Sequence, residues 1–456
     1  MSDQTNNLDV TMLQIRSALE SQRIDDAIRI LLEEHPADQA DIFNALEEAE
    51  KEILLSHLDI ATTADMLEEM EDQHVLDTVE SLSAEKLADL LDEMKPDEAA
   101  DLLGDLPPGQ VSEVLAQMED ADEVIPLLGH PDETAGGLMT TWYIALRRHT
   151  TAEQAISFLR QAHPETEIQY YLYVIDRDKR LVGVVGLRDL VVTPPETTME
   201  TILDPDVQFV TAGTDQEEVA RIMSRYDLAS LPVVDDHHRL VGIITYDDIV
   251  DVLEDEATED IFRLGGIETG PVMDKPYWSR RIYDIVRSRF LWLLILFAAE
   301  TFTGTVLRHY QDELKTVVAL SFFIPLLIGT GGNAGSQTVA TIIRALALRE
   351  VKTKDLLRVW WREGRAGLLL GAIIGSFGFG RALLWGVSIE MAITVSLTVA
   401  VICVWATTVA SIVPILANAI KIDPTVISGP LMSTLIDGTG LIIYFSLAAL
   451  ILPQLK

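Results

Sequence analysis

Apolar positions in the first third of the chain recur every twelve residues. Units begin at Ala40, Glu52, Ala64, Leu76, Ala88, Ala100 and Ser112. Their fourth positions are Phe43, Leu55, Leu67, Val79, Leu91, Leu103 and Leu115, and their seventh are Leu46, Leu58, Met70, Leu82, Met94, Leu106 and Met118. Spacing of three within a unit is helical, and turn formers such as Lys95-Pro96-Asp97 and Pro107-Pro108-Gly109 separate the units. Short helices that bury their apolar stripe only on neighbours predict a solenoid over residues 1–130. Residues 1–8 are mostly polar, fall outside the period, and are expected to be disordered.

A second period, of 59 residues, follows. Tyr171-Leu-Tyr-Val-Ile-Asp-Arg-Asp-Lys-Arg-Leu-Val-Gly183 returns as Ser230-Leu-Pro-Val-Val-Asp-Asp-His-His-Arg-Leu-Val-Gly242, and Val184–Val191 returns as Ile243–Val250. Each copy reads strand, tight turn, strand, helix, with a further helix before it, Ala152–Ala162 and Gln216–Ser224. His237 and His238 fall in the second tight turn and are expected on the surface.

From Phe290 onward the pattern changes to long apolar runs. Spans are expected at 290–308, 315–347, 366–386, 391–418 and 425–452, each near or above the roughly 20 residues that cross a bilayer. Ahead of them, Tyr277 to Arg289 is amphipathic and basic and reads as an interfacial helix. The loop Arg349–Arg365 carries six Lys/Arg, which predicts a cytoplasmic loop, a cytoplasmic N-terminus and an external C-terminus. The second span is long because Gly329-Thr-Gly-Gly-Asn-Ala-Gly-Ser-Gln337 interrupts it. Polar groups at that depth are tolerated only inside protein or along a wet cavity. The glycines permit close approach and leave carbonyls free, and Asn333 and Gln337 share a face if helical. The stretch reads as part of a pathway, or as a polar contact between helices.

Charge sharpens the division. The 456 residues carry a formal charge of −38, with 63 acidic and 22 basic residues before Phe290 against 9 and 12 from it onward. An acidic soluble half joined to a near-neutral apolar half repels nucleic acid and attracts cations. No signal-peptide-like stretch opens the chain, so the soluble half is expected in the cytoplasm. Cys403 is the one cysteine, which excludes intrachain disulfides and multi-cysteine metal sites. No nucleophile–base motif, phosphate loop or metal-spaced histidine cluster is evident, so an enzyme is not expected.

Candidate chemistry is carboxylate chemistry. The second position of the twelve-residue unit is usually acidic (Asp41, Asp65, Asp77, Asp89, Asp101, Glu113), and Asp97 and Asp101 stand four apart. These acids are solvated faces and caps, or they share divalent cations with another domain, since Mg²⁺ keeps several waters and needs one or two carboxylates. Eight of the fourteen residues Asp247–Asp260 are acidic. In a helix Asp248, Asp251 and Asp255 align, and Glu256, Glu259 and Asp260 extend the set by a turn. In the last span Asp437 follows Ser433 and Thr434 on one helix face. An acid mid-span is a functional candidate by default, and an unpaired one suits a cation substrate. Glu300, in the first span, reads equally as a second conduction group or a structural partner.

The 59-residue repeat resembles a pair of CBS domains. That resemblance implies a two-fold module that can bind adenine nucleotides such as ATP, with an Asp at the start of each copy's last helix meeting a ribose; Asp189 and Asp248 stand at those places, and Tyr171 and Arg188 are further nucleotide-binding candidates. Over its whole length the chain resembles the bacterial MgtE family. The resemblance rests on the acidic solenoid, the CBS pair, Pro325-Leu-Leu-Ile-Gly-Thr-Gly-Gly-Asn-Ala-Gly-Ser-Gln337 and Ser428-Gly-Pro-Leu-Met-Ser-Thr-Leu-Ile-Asp-Gly-Thr-Gly-Leu441. It implies a multidomain membrane protein: a superhelical all-α N domain (1–130), an α/β tandem CBS module (131–262), a connecting helix (263–289) and a five-helix transmembrane domain (290–456). It further implies a homodimeric Mg²⁺ channel or transporter of the bacterial inner membrane, the alternatives being the same fold carrying another divalent cation such as Co²⁺ or a membrane-anchored nucleotide sensor. Its pore would be lined by Asp437, Ser433, Gly329, Gly332 and Asn333. It would be closed by cytosolic Mg²⁺ at Asp97, Asp101, Asp215, Glu217, Asp227, Asp248, Asp251, Glu256, Glu259 and Asp260.

Overall fold

The computed structural model describes residues 2–70, 72–79, 82–161, 170–269, 277, 280–427 and 429–455. Two compact units emerge, Met1–Glu254 and Asp255–Lys456.

The first unit opens with α1 (Ser2–Glu20) and α2 (Ile24–Leu32). Helix α1 begins at Ser2, where disorder was expected. Leu8, Met12, Ile15 and Leu19 form one apolar stripe, and Ile15 is fully buried, so the stripe carries the helix toward the terminus. The twelve-residue period then becomes α3 (Pro36–Asn44), α4 (Glu48–Leu55), α5 (Ile60–Glu68), α6 (Asp72–Val79), α7 (Ala84–Leu91), α8 (Pro96–Asp105) and α9 (Pro108–Leu115), with each start twelve residues after the last. The cap positions keep step: Asp59 accepts from the Thr62 N–H at 2.9 Å, and Ser83 from that of Lys86 at 3.4 Å. Phe43, Leu67, Val79, Leu91 and Leu103 are buried.

Helices pack on their second neighbours, α3 on α5 on α7 on α9 and α6 on α8, which gives the solenoid two layers. Acids stitch one turn to the next. Glu68 accepts the Lys95 N–H at 2.7 Å, and Asp92 accepts those of Glu119 and Asp120 at 2.8 and 3.1 Å.

After α10 (Ala121–Val124) come β1 (Ala145–Arg147), α11 (Ala152–Leu159), β2 (Tyr171–Ile175), β3 (Leu181–Gly186), α12 (Leu187–Val192) and α13 (Met199–Ile202). The second copy is β4 (Val210–Thr211), α14 (Gln216–Tyr226), β5 (Ser230–Val234), β6 (Leu240–Thr245) and α15 (Tyr246–Leu264). Ala162, the expected end of α11, lies outside the described residues. Each copy forms a three-stranded sheet with a parallel first pair and an antiparallel hairpin, and both hairpins carry a register shift at equivalent places, Val174/Ile175 and Val233/Val234. The copies join through a buried 2.7 Å hydrogen bond between the Tyr173 and Ser230 hydroxyls and through their hairpin turns, Leu181 N–H to His238 carbonyl and Leu240 N–H to Lys179 carbonyl, both 3.0 Å. His237 and His238 are exposed, as the turn predicts. The solenoid core runs on into the second copy through Val210, Val219, Leu231 and Ile249, whereas the first copy has its own core.

The second unit holds α16 (Ile282–His309), α17 (Gln311–Thr316), α18 (Ala319–Ala347), α19 (Leu356–Leu384), α20 (Ile389–Ala419) and α21 (Gly429–Ile451). Among the described residues four helices are long and apolar enough to cross a membrane, namely α16, α19 with the turn before it, α20 and α21. The fifth long helix, α18, carries the polar motif. Two expectations change here. The basic stretch before Phe290 is not a separate interfacial helix: from Ile282 it forms the first turns of α16, since no breaker separates Arg289 from Phe290. Trp278 and Ser279, at its start, lie outside the described residues, as do residues 270–276 of the connecting segment. The motif does not interrupt its span either. Helix α18 continues through Pro325 and the glycines for 29 residues, so the motif's carbonyls serve the helix ladder, the form that satisfies a backbone in lipid. Small residues let the helices approach: Gly367, Gly371, Gly375 and Gly378 of α19 are buried against α20.

Candidate functional site

The pore candidates meet where α18 crosses α21. Gly331, Gly332 and Gly335 are buried against Ile402, Ser433 and Ile436. A Cβ on Gly332 would overlap the Ser433 hydroxyl and lie 3.4 Å from Asp437 Oδ1. Asp437 is half-buried, and its Oδ1 is sealed from solvent with no hydrogen-bond partner among the described residues. A buried, unpartnered carboxylate oxygen is costly unless an ion or water meets it. The structure therefore joins Gly332, Ser433 and Asp437. It leaves Gly329 and Asn333 elsewhere: with Gln337 they form an exposed stripe at four-residue spacing, and a Cβ on Gly329 would meet only open space. Ser428, expected within the last span, lies outside the described residues.

The soluble unit gathers a second set of carboxylates. Asp97 opens α8 behind Pro96 and is 7 % exposed, and its Oδ1 has no hydrogen-bond partner among the described residues. Burial, then the charge of Asp248, raises its pKa well above the usual carboxylate range, against Lys95 and the Thr140 hydroxyl. Burial likewise raises Asp248, even though the Thr245 backbone N–H and hydroxyl donate to its Oδ2 at 3.1 and 2.6 Å. Glu98 is pushed up to about 9 by burial and then by the charges of Asp97 and Asp101. Burial also raises Glu68. Lys95 is the cation placed among these acids, with its Nζ 3.4 Å from Asp247. Glu68, Glu98 and Asp247 escape a reading by helix face, because a two-unit stacking offset brings Glu68 to Lys95, 27 residues away.

The other expected sensor acids do not converge on this cluster. Asp101 and Asp251 are exposed at its edge. Asp215 and Asp227 stand at opposite ends of α14: Asp215 caps the start by accepting the Glu217 N–H at 3.0 Å, and Asp227 ends the helix in the left-handed conformation at φ 51°. Glu217 lies in the first turn of α14, exposed. Glu256, Glu259 and Asp260 belong to the later part of α15, in the second unit. There Arg263 pairs with both Glu259 and Asp423, and Thr269 donates to Glu259 at 3.0 Å. Burial, then the charge of Asp423, raises Asp260. Among the described residues no three His, Cys, Asp or Glu side chains come close enough to hold one metal ion, so any cation here would be held largely through its own waters.

Fifty-nine residues before Asp248, Asp189 is exposed beside exposed Arg188, with Tyr171 half-buried on the adjoining strand. The repeat has diverged at this position. The first copy carries Gly186, Arg188 and Asp189 where the second carries Thr245, Asp247 and Asp248.

A family model described as "Divalent cation transporter", MgtE, matches residues 324–447. The MgtE intracellular N domain matches 34–133, and the CBS domain matches 135–196 and 199–255. Magnesium transporter MgtE of Bacillus subtilis is 32 % identical over 454 residues, 99 % of this chain and 100 % of its own. Magnesium transporter MgtE of Thermus thermophilus is 43 % identical over 330 residues, 72 % of each chain. Among solved structures, the cytosolic domain of the Mg²⁺ channel MgtE in complex with ATP is 36 % identical, with a TM-score of 0.50, covering 53 % of this chain and 99 % of that one. The soluble part of a magnesium transporter is 34 % identical, with a TM-score of 0.51, covering 55 % and 99 %. With its membrane helices, CBS pair and acidic solenoid all matched in order, this chain belongs to the MgtE family.

Proposed function

We propose that this chain conducts Mg²⁺ across a bacterial inner membrane and closes when cytosolic Mg²⁺ rises. The observation that carries the conduction reading is the meeting of Gly332, Ser433 and Asp437, with a buried Asp437 oxygen that no donor among the described residues satisfies. Small residues and a lone carboxylate suit a hydrated hard cation, which binds through water to few oxygens. The open stripe of Gly329, Asn333 and Gln337 supports a pore completed by a second copy, since polar side chains of a membrane helix avoid lipid. In this reading residues 1–130 and 131–262 sense, 263–289 couple and 290–456 conduct.

The sensing reading rests on the Asp97 oxygen that has no partner among the described residues and on the crowding of Asp97, Asp101, Glu68 and Asp248 around Glu98. These carboxylates repel one another and are starved of water, so they fit a divalent cation. Bound Mg²⁺ would supply the positive charge that lets them stay ionised and close together. The equilibrium then shifts by the ion's differential affinity for the closed arrangement. Tyr171, Arg188 and Asp189 offer an aromatic face, a cation and a carboxylate, a set that fits a nucleotide's base, phosphate and ribose.

Mg²⁺ uptake into proteoliposomes tests the reading, with wild type beside Asp437→Ala and with low and then high Mg²⁺ on the soluble side. Uptake by wild type alone, stopped by high Mg²⁺, is expected. Uptake by Asp437→Ala equal to wild type would remove Asp437 from the pathway.

A further inference from the structure

Glu300 stands 18 residues past the start of α16, roughly 27 Å along the helix. An ionisable group that deep needs a wet surface or a partner, and among the described residues it makes no ion pair. It lines an open groove of about 560 Å³ whose other polar residue is Thr434 of α21, with Leu293, Leu294, Leu296 and Phe297 on the apolar side. Thr434 precedes Asp437 by three residues, so both lie toward one side of α21.

A second, independent feature lies one turn along α16. Thr303 is 4 % exposed, and its hydroxyl has no hydrogen-bond partner among the described residues. The threonines on either side bond back to the helix in the usual way: Thr301 donates to the Phe297 carbonyl at 3.2 Å and Thr305 to that of Thr301 at 2.8 Å. Thr303 instead faces α21, 3.3 Å from where a Cβ of Gly438 would stand, beside Asp437. Two buried oxygens without partners among the described residues thus stand at adjoining positions of α21, Thr303 Oγ1 where α16 meets Gly438 and Asp437 Oδ1 where α18 meets the helix at Gly332. A buried hydroxyl or carboxylate left unpaired is disfavoured unless water or an ion completes it.

We propose that α16 supplies a second level of oxygen ligands to the ion path: Glu300 and Thr303 accept hydrogen bonds from the waters of a hydrated divalent cation as it passes Asp437. This rests on the reading of Asp437 as the pore acid. Glu300 then adds to the divalent over monovalent preference, because the charge it places near the ion is felt twice as strongly by Mg²⁺ as by Na⁺.

The test is Mg²⁺ flux by the full chain in proteoliposomes across a Mg²⁺ series, with and without competing Na⁺. Wild type, Glu300→Gln, Glu300→Asp, Thr303→Val and Asp437→Ala are compared, and the melting temperature of each is recorded. Glu300→Gln is expected to raise the half-saturating Mg²⁺ concentration roughly three- to tenfold and to increase inhibition by Na⁺, with Glu300→Asp restoring most of both. Thr303→Val is expected to raise half-saturation while its melting temperature holds or rises, since losing an unpaired buried hydroxyl does not destabilise. Wild-type half-saturation and Na⁺ sensitivity in both Glu300→Gln and Thr303→Val, beside an inactive Asp437→Ala, would overturn this inference alone. An active Asp437→Ala would overturn the pore reading and this inference with it.

Discussion

Gly332 on α18 lies against Asp437 on α21, so close that a methyl group on Gly332 would sit 3.4 Å from the carboxylate and overlap the Ser433 hydroxyl. The contact sets the separation of the two helices at the acid. Gly332→Ala is expected to cost about 1–3 kcal/mol through overpacking and to reduce Mg²⁺ flux by at least about tenfold by displacing Asp437. Gly332→Ala with Ser433→Ala, which removes the overlapping hydroxyl, should recover part of the stability. Flux and thermal melts on the two variants check both statements.

The crowded acids of the soluble unit predict an unusual pH dependence. Asp97, Asp248, Glu98 and Glu68 all have native pKa values raised by burial. The folded state therefore holds protons that the unfolded chain releases, and the cluster's contribution falls as pH rises. It is full below the ordinary carboxylate range and is lost progressively up to about 9, the value for Glu98. Melts of the Mg²⁺-free full chain between about pH 6 and about pH 9 should show declining stability, and added Mg²⁺ should flatten the decline. Asp97→Asn should flatten it without Mg²⁺ and raise stability at the alkaline end by on the order of 1 kcal/mol. An unchanged slope in Asp97→Asn would assign the decline elsewhere.

The paired aspartates of the repeat should separate in function. Asp189 is exposed beside Arg188, while Asp248 is held by Thr245 among other acids. Asp189→Asn or Arg188→Ala is expected to weaken ATP binding by roughly tenfold or more, whereas Asp248→Asn changes Mg²⁺-dependent closure and leaves ATP affinity within about twofold. Calorimetric titration of ATP into the three variants decides this.

Arg263 joins the end of α15 to Asp423 in the loop before α21, with Glu259 on its other side. Leu264, the next residue, packs in the cluster that contains Val339, Met432 and Ile436. The pair thus ties the end of α15 to the loop before α21. Arg263→Asp is expected to shift the Mg²⁺ concentration that closes the pathway by about threefold to tenfold. The charge swap Arg263→Asp with Asp423→Arg should return it toward wild type. Failure of the swap to recover closure would show that the ion pair does not set it.

Much of the architecture was written in periods. The twelve-residue period set the start of every solenoid helix from Pro36 to Pro108, and the 59-residue period set both hairpins and the helices after them. Local periodicity survives folding because each unit repeats the same burial. Continuity was harder to read. Gly329–Gln337 has the composition of an interruption, yet it stays helical because close packing on α21 and the absence of water favour the helix ladder. Residues 1–8 read as loose because the pattern before Leu8 is too short to show a stripe.

The sequence by itself determined the element types, the division between acidic and apolar halves, the family resemblance and the isolated acid at Asp437, since each follows from spacing and composition along the chain. The tertiary structure alone decided which acids meet. Asp97 and Asp248 stand 151 residues apart in sequence, and the burial that couples them depends on the solenoid sharing its core with the second copy of the repeat. Asp215 and Asp227, close in sequence, are held apart by the length of α14. Thr303 is one threonine among many until packing against α21 leaves its hydroxyl without a partner among the described residues. Desolvation and charge repulsion act through space, so the chain order does not record them.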